Sequence, residues 1–481
     1  MSRRLLWSPV GRLLVVAVVL SVCGATATLA ATATPAAPAT LAATVTPAAP
    51  GGSSLNVASA TSASNAASNI QVVSPDSVGM SAKNLALIDE FASVGMRSKY
   101  FAGAVVLVAR HGKIAYLKAY GEAGEGKPMA TDAVFRWASM TKPLTMVALM
   151  QFYDQGKFKL DDLLSDYLPE FEHMQVAVDD GKGNITLVPA KRKITMHDLM
   201  SYTAGFTTSF YYGANRVNNY VTKCMVANGA QDLFDGDYTS TLATNVKALS
   251  KCPLVYQPGE GWYYGHTSQD IIGYLVERWS GKSLDKYMTD SIFKPLKMNE
   301  TWFYPPKSVF SRVPEVTQKG NSDAVFVEKT LGILPENPNY TFGANKTYLS
   351  AGGGLHGTIS DYFRFAQMML NKGELDGVRV VSSRAIDLMT HPTPDRFGVN
   401  GLTGNLWGYG VDVQTTDAPG GSGFWLGGKG SYGWRGIWST LWNNNPTNDT
   451  VSLVMAQVGD DGCFPYMYLM NDLVSAAVVG N

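Results

Sequence analysis

Two residues in this sequence have the types and spacing to share one reaction. Ser139 and Lys142 stand three apart in Trp137-Ala138-Ser139-Met140-Thr141-Lys142-Pro143-Leu144-Thr145, just ahead of an apolar run from Met146 to Tyr153. A serine hydroxyl attacks poorly until a base takes its proton, and a partly buried lysine beside a dipole or second cation can stay neutral enough to take it. Whether the two meet depends on the element that carries them. Proline fits the first turn of a helix and disrupts its interior, so Pro143 predicts a helix beginning near Ser139. Gly156, following Asp154-Gln155, supplies the left-handed residue that ends it. On such a helix Lys142 lies one turn above Ser139 on the same face, and the serine sits at the positive end of the dipole, where an oxyanion is stabilised. The run is apolar on nearly every side until Gln151, which predicts a buried helix.

The S-x-x-K spacing arises by chance roughly once in a chain of this size. Ser283-Leu284-Asp285-Lys286 has it too, on a polar segment after Gly281-Lys282, and reads as structural. Ser139 alone could equally be a helix cap with a solvated lysine. Further pieces come later in the chain. Tyr264 lies in Pro258-Gly259-Glu260-Gly261-Trp262-Tyr263-Tyr264-Gly265-His266, just before a helix, where its phenol could relay a proton to a leaving group. An aromatic loop that merely covers core is the competing reading, and His266 is a rival base. The chain has no G-x-S-x-G elbow, which argues against an α/β-hydrolase. In Gly430-Ser431-Tyr432-Gly433-Trp434-Arg435-Gly436-Ile437, glycine lets a strand edge approach a ligand, and the Ile437 amide could join the Ser139 amide as an oxyanion hole. The alternative there is a bulge or a strand start.

Ser139-x-x-Lys142, then Tyr264-x-His266, then Trp434-x-Gly436, in that order, resemble the class C β-lactamase-like serine hydrolases and most nearly the family VIII carboxylesterases. The resemblance runs from about Val72 to near the C-terminus. It implies Ser139 as the acylated nucleophile, Lys142 as base, Tyr264 as proton relay, and the Ser139 and Ile437 amides as the oxyanion hole. Two positions depart from the β-lactamase pattern. Trp434 and Arg435 replace the lysine and hydroxyl residue that help bind a substrate carboxylate, and His266 replaces asparagine. Tryptophan at the first position is familiar from the esterase branch, so the resemblance implies an apolar acyl or alcohol pocket. Alternation along a strand should turn Arg435 away from Trp434. Phe210, Tyr211, Tyr212 and Trp262 are candidate pocket walls, or else packing for the helical region.

The elements that must position these groups follow from the rest of the chain. Ala104–Ala109 and Lys113–Lys118, joined by Arg110-His111-Gly112, predict an antiparallel hairpin with His111 as a turn residue. Helices are expected over Ser81–Val94, Asp161–Leu168, Met196–Tyr202, Gln269–Ser280, Leu284–Met288, Ile359–Leu370 and Tyr466–Val478. Ala351-Gly352-Gly353-Gly354-Leu355 predicts a turn with unusual dihedrals. Strands are expected at Gly436–Trp442 and Val451–Val458, around a turn at Asn443-Asn444-Asn445-Pro446. Strands at both ends around a helical middle give an α/β fold: an antiparallel sheet built from N- and C-terminal strands, flanked by helices, with an α-rich insertion and a cleft between them. The resemblance implies the same arrangement, that of β-lactamases and penicillin-binding proteins.

At 481 residues there is ample material for a core, and 39 basic against 39 acidic side chains give no electrostatic case for nucleic acid or an anionic membrane. Arg3, Arg4 and Arg12 before the apolar stretch Leu13–Val22 read as a secretory signal within residues 1–30, with cleavage after Ala27 or Ala30. Val22 fits poorly before a lipoprotein cysteine at Cys23, so a periplasmic or secreted protein with no membrane span after cleavage is expected. Residues 31–70, rich in Ala, Thr, Pro and Ser, read as a disordered linker. A single hydrolase domain is expected over 71–481. Cleavage leaves Cys224, Cys252 and Cys463, of which a Cys224–Cys252 pair would close a loop of moderate length. No spacing suggests a metal site, and no cofactor is expected. The expected partner is a small ester or, in the alternative, an amide, as for a β-lactamase, DD-peptidase or D-amino-acid peptidase. A third reading is a non-catalytic covalent sensor of β-lactams or cell-wall peptide.

Overall fold

The strand Gly103–Arg110 (β1) is apolar as far as Ala109, so it must be covered on both faces, and every one of its residues is buried. In the computed structural model, which describes residues 71–208, 213–230, 240–319, 324–326, 347–393, 405–417, 427–459 and 464–480, β1 lies well inside an eight-stranded sheet. The other strands are Lys113–Gly124 (β2), Lys127–Pro128 (β3), Leu406–Trp407 (β4), Asp412–Val413 (β5), Tyr432–Gly436 (β6), Thr440–Asn445 (β7) and Thr450–Ala456 (β8). Their order is β4-β5-β6-β7-β8-β1-β2-β3, antiparallel throughout. The N-terminal hairpin therefore pairs with the last strand, with Leu107 opposite Leu453.

The helices used below are Leu87–Arg97 (α1), Thr141–Asp154 (α2), Arg216–Ala227 (α3), Leu242–Leu249 (α4), Thr267–Ser280 (α5), Ile359–Leu370 (α6) and Phe464–Ala477 (α7). Val106, Val108, Leu441 and Val454 on one sheet face pack with Ile88 of α1 and Met467, Met470 and Val474 of α7. Helix α6 lies against β7 and β8, and α2 packs on α5. The expected helices at Leu284–Met288 and Ile359–Leu370 are found, and the one at Asp161–Leu168 shrinks to Leu164–Tyr167. Helices α3 and α4 are additions to the expected set. Both begin at side-chain caps, Asn215 accepting from the Asn218 amide and Thr241 from the Thr244 amide. His111 is a turn residue with φ 53°, its Nδ1 at 2.7 Å from Asp449 on the surface.

One strand expectation is corrected. The stretch Gly436–Trp442 is not one strand: β6 ends at Gly436, Ile437–Ser439 turn with Ser439 at φ 59°, and Thr440–Trp442 begin β7. The three asparagines expected in the following turn instead belong to β7 and are buried. For Asn444 and Asn445 burial is tolerated because their side chains are hydrogen-bonded. Asn444 donates to the Ala366 carbonyl at 2.8 Å and accepts from Trp442 Nε1 at 2.8 Å, while Asn445 donates to Gly427 O at 3.1 Å.

Residues 71–481 form one compact unit. The expected signal and linker, residues 1–70, lie outside the described residues, as does Cys463. Cys224 at the end of α3 is bonded to Cys252. No helix among the described residues is long and apolar enough to cross a membrane.

Candidate active site

Phe135–Arg136 pairs with His356–Gly357, and the chain then turns sharply into α2 through the short 3-10 segment Ala138–Met140. Ala138 takes φ 47°, a left-handed conformation uncommon for a residue with a side chain, so the turn is held by its surroundings. Trp137 is buried, its amide donating to Leu355 O at 3.0 Å and its carbonyl accepting from Thr440 Oγ1 at 3.2 Å. Tyr362 donates to Met140 O at 3.0 Å. The α-helix proper begins at Thr141, ends at Asp154, and is followed by Gly156 with φ 69°.

This turn leaves Ser139 9% exposed above a Lys142 that is fully buried. Lys142 Nζ lies 3.1 Å from Ser139 Oγ and donates to Gly352 O at 2.7 Å. Ser139 and Lys142 thus meet as the spacing predicts. The same S-x-x-K pattern at Ser283 caps a short surface helix, and Lys286 there is mostly exposed.

Tyr264 comes from the loop before α5. Lys142 Nζ is 4.6 Å from the centre of its ring, and its phenol oxygen accepts from Trp434 Nε1 at 2.9 Å. Trp434 and Tyr264 belong to an aromatic cluster with Tyr202, Trp262 and Trp407. Trp407 meets Trp434 edge-on at 4.5 Å and Trp262 at 6.1 Å. Tyr202 has φ 63° and accepts from Gln269 Nε2 at 2.7 Å; burial, with the neighbouring Tyr264, pushes its phenol well above the ordinary tyrosine range. Gly436 closes the other side. A β-carbon there would stand 2.2 Å from the Trp137 carbonyl oxygen, so the strand end lies against the backbone two residues before Ser139. Ile437 follows directly in the turn.

The structure therefore brings Ser139, Lys142, Tyr264, Trp434, Gly436 and Trp262 into one neighbourhood. His266 is also there, in a different place from a base: it is buried at the start of α5 against Gly352, where an added β-carbon would lie 2.6 Å from its Nδ1. Lys142, not His266, hydrogen-bonds Ser139 Oγ. Tyr211, with Phe210 and Tyr212, lies outside the described residues. Arg435 is nearly buried and reaches Tyr468 of α7, whose phenol burial pushes up to about 12 against the lowering effect of that guanidinium. It is taken up in the scaffold on the far side of the strand from Tyr264, although its guanidinium carbon is 5.6 Å from the Trp434 ring.

Several parts of the site carry little sequence signal. The turn at 350–355 bridges α2 and α5: Gly352 O receives Lys142, Ala351 O receives Thr145 Oγ1 at 2.7 Å, and the Leu355 amide donates to Thr141 Oγ1 at 3.1 Å. Its glycines mark a turn, but nothing in them names Lys142 as partner. Trp407 and Tyr202 have no local pattern that separates them from core aromatics. No group of three or more His, Cys, Asp or Glu among the described residues could hold a metal ion.

A serine bonded to a buried amine, with a phenol beside the amine, is arranged for proton removal from the hydroxyl and return of the proton to a departing group. The chain is 29% identical over 408 residues to Protein Rv1367c of Mycobacterium tuberculosis, covering 83% of this chain and 93% of that protein. It is 28% identical over 382 residues to Esterase EstB of Burkholderia gladioli, covering 76% and 89% respectively. The fold matches EstCE1, a hydrolase with promiscuous acyltransferase activity, at a TM-score of 0.65 and 22% identity, over 83% of this chain and 99% of that one. Residues 88–466 match the Beta-lactamase family. A penicillin-binding-protein-like fold with Ser139 and Lys142 at its centre is accounted for on the same terms: this chain belongs to the Beta-lactamase family, as a β-lactamase-fold serine hydrolase.

Proposed function

We infer that the protein is an exported serine esterase that cleaves short-chain carboxylic esters through an acyl-enzyme. Ser139 Oγ attacks the ester carbonyl while its proton passes to Lys142 Nζ, forming a tetrahedral oxyanion held by the Ser139 and Ile437 amides. Collapse of that intermediate breaks the bond to the alcohol, which takes a proton through Tyr264. Water then attacks the acyl-enzyme, gives its proton to the Lys142–Tyr264 pair and releases the acid and the serine. The two groups are close enough to titrate as a coupled pair, so steps in a pH–rate profile belong to both.

The observation that carries the ester reading is Trp434. Its indole N–H is spent on Tyr264 and its ring is buried among other aromatics, so this position offers no cation to a substrate carboxylate. Arg435 is engaged at Tyr468. A neutral acyl or alcohol group suits such a wall better than an anionic one. The esterase name of the Burkholderia gladioli relative supports the same choice. The Cys224–Cys252 bond supports export, since disulfides persist in oxidising compartments.

The test is turnover of p-nitrophenyl acetate and butyrate beside a chromogenic cephalosporin and a D-Ala-D-Ala peptide. Esters should be hydrolysed fastest, and Ser139→Ala should remove that activity. Equal rates for wild type and Ser139→Ala would overturn the serine mechanism. Faster turnover of cephalosporin or peptide would move the enzyme to the amide substrates, and stable labelling of Ser139 without turnover would make it a sensor.

A further inference from the structure

The turn that receives Lys142 is itself held by a carboxylate. Asp270, on the first turn of α5, is 1% exposed. Its Oδ1 accepts from the Ala351 amide at 3.1 Å, and its Oδ2 accepts from Asn245 Nδ2 of α4 at 2.9 Å and from the Tyr348 hydroxyl. Beyond Ala351 the peptide groups line up. The Ser350–Ala351 peptide, whose N–H points to Asp270, accepts at its carbonyl from the Gly353 amide at 3.3 Å. The Gly352–Gly353 peptide, whose N–H makes that bond, accepts Lys142 Nζ at its own carbonyl at 2.7 Å. Two peptide groups therefore run head to tail from a buried carboxylate to the amine beside Ser139, each polarised in the same sense. Thr145 pins the intervening Ala351 carbonyl from α2.

We propose that Asp270 is a positioning residue for Lys142: through the 350–353 turn it aims the Gly352 carbonyl at Nζ and stabilises the ammonium that Lys142 becomes on taking the proton of Ser139. This rests on the roles given to Ser139 and Lys142 above. The geometry explains why a carboxylate is buried here at all. It accepts from the Ala351 amide, Asn245 and Tyr348, and its field runs along the turn toward Lys142. Other groups bear on the same amine. The Tyr264 ring stands 4.6 Å from Nζ, His266 packs on Gly352, Tyr202 lies behind Tyr264, and Arg435 lies beyond Trp434. On the Asp270 side the titratable neighbours are Tyr348 and His266, whose carbonyl accepts the Asp270 amide. A useful experiment must therefore read Lys142 itself.

Full-length protein labelled with 13C at lysine Cε would give a Lys142 resonance, assigned by its loss in Lys142→Arg, whose titration is followed by NMR. In Asp270→Asn the midpoint should fall by about half a pH unit or more, since a negative charge that favours the ammonium is gone. With p-nitrophenyl butyrate, the acid limb of kcat/KM should move the same way and its plateau should drop about tenfold, with KM within about twofold. Asp270→Glu should restore part of the shift. An unchanged Lys142 midpoint in folded Asp270→Asn, whatever its activity, would reduce Asp270 to a structural brace and overturn the proposal. Should Asp270→Asn fail to fold, Tyr348→Phe removes one donor from the carboxylate and keeps its charge; the midpoint should then rise, and no movement would equally overturn it. The titration needs no turnover, so its failure is distinct from that of the esterase reading, which is judged by Ser139→Ala.

Discussion

Gly436→Ala is the smallest change that probes how the late strand is set against the nucleophile. The added β-carbon would lie 2.2 Å from the Trp137 carbonyl oxygen and 2.4 Å from Thr440 Oγ1, where ordinary contacts begin near 3.4 Å. The first of these is backbone, and that carbonyl also accepts from Thr440. The residue cannot be relieved by a rotamer change, so the strand end and the Ser139 turn must separate by about 1 Å, because packed interiors have no slack to absorb it. Overpacking of this kind costs about 1–3 kcal/mol of stability. Its larger effect should be on catalysis. A misplacement of about 1 Å is worth roughly 100-fold in rate, and loss of one oxyanion donor about 100- to 1,000-fold. The expected result is a fall in kcat for p-nitrophenyl butyrate of at least about 100-fold, with KM changed much less, because the ground-state ester does not yet carry the charge that the Ile437 amide would meet. Rapid-mixing measurements should show the loss in the acylation burst. A Gly436→Ala enzyme that folds and keeps kcat within about threefold would refute the placement of this strand against the Ser139 turn as a catalytic requirement.

The Cys224–Cys252 bond closes a loop across a sequence separation of 28 residues, and loop-closure entropy gives it about 3–4 kcal/mol. The Cys224→Ser, Cys252→Ser double variant should lose that much in urea unfolding, and a loss under about 1 kcal/mol would contradict the estimate. Asp361, 7% exposed, accepts from the Glu300 amide and the Thr301 hydroxyl, yet burial pushes its carboxyl up to about 6. Because the folded state then holds the proton more tightly than the unfolded chain, stability attributable to Asp361 is full below about pH 4 and is lost as the pH rises through about 6, by up to about 3 kcal/mol. Asp361→Asn should flatten that part of the pH–stability curve, and parallel curves for wild type and variant would count against it.

The middle of the sheet was the most legible part of the fold because β1 carries the apolar run Ala104–Ala109, β2 has Ile114–Leu117 just after its start and β8 ends with Leu453–Ala456, and pairing the two ends of the chain buries the β1 and β8 runs. The buried helix α2 was legible for the same reason, with Pro143 and Gly156 marking its ends. The β6–β7 hairpin was not. Local turn chemistry favours Asn443-Asn444-Asn445-Pro446 over Ile437-Trp438-Ser439, and what reverses the choice is tertiary: the Ala366 and Gly427 carbonyls that accept from Asn444 and Asn445 come from distant segments. Helices α3 and α4 were missed because their apolar positions are interrupted by polar residues that become buried only within the insertion, such as Asn218 and Asn245.

At the site, legibility divides by whether a side chain or a backbone group does the work. Ser139, Lys142 and Tyr264 carry their chemistry in their side chains, and their order along the chain was enough to associate them. The groups that hold them are mostly peptide atoms: the Gly352 and Ala351 carbonyls against Lys142 and Thr145, and the Trp137 carbonyl against Gly436. Any residue type has a carbonyl, so these positions betray themselves only through what they exclude. Glycine at 352 leaves room for His266, and glycine at 436 leaves room for Trp137. For Trp434 the resemblance implied an apolar pocket, and in the structure its indole N–H is the donor to Tyr264 while its ring packs in a cluster with Tyr202 and Trp407. Its one donor is committed to the Tyr264 hydroxyl and its ring to the aromatic cluster, so a substitution at 434 would disturb the phenol and the wall around it together, and the two effects cannot be separated at that position.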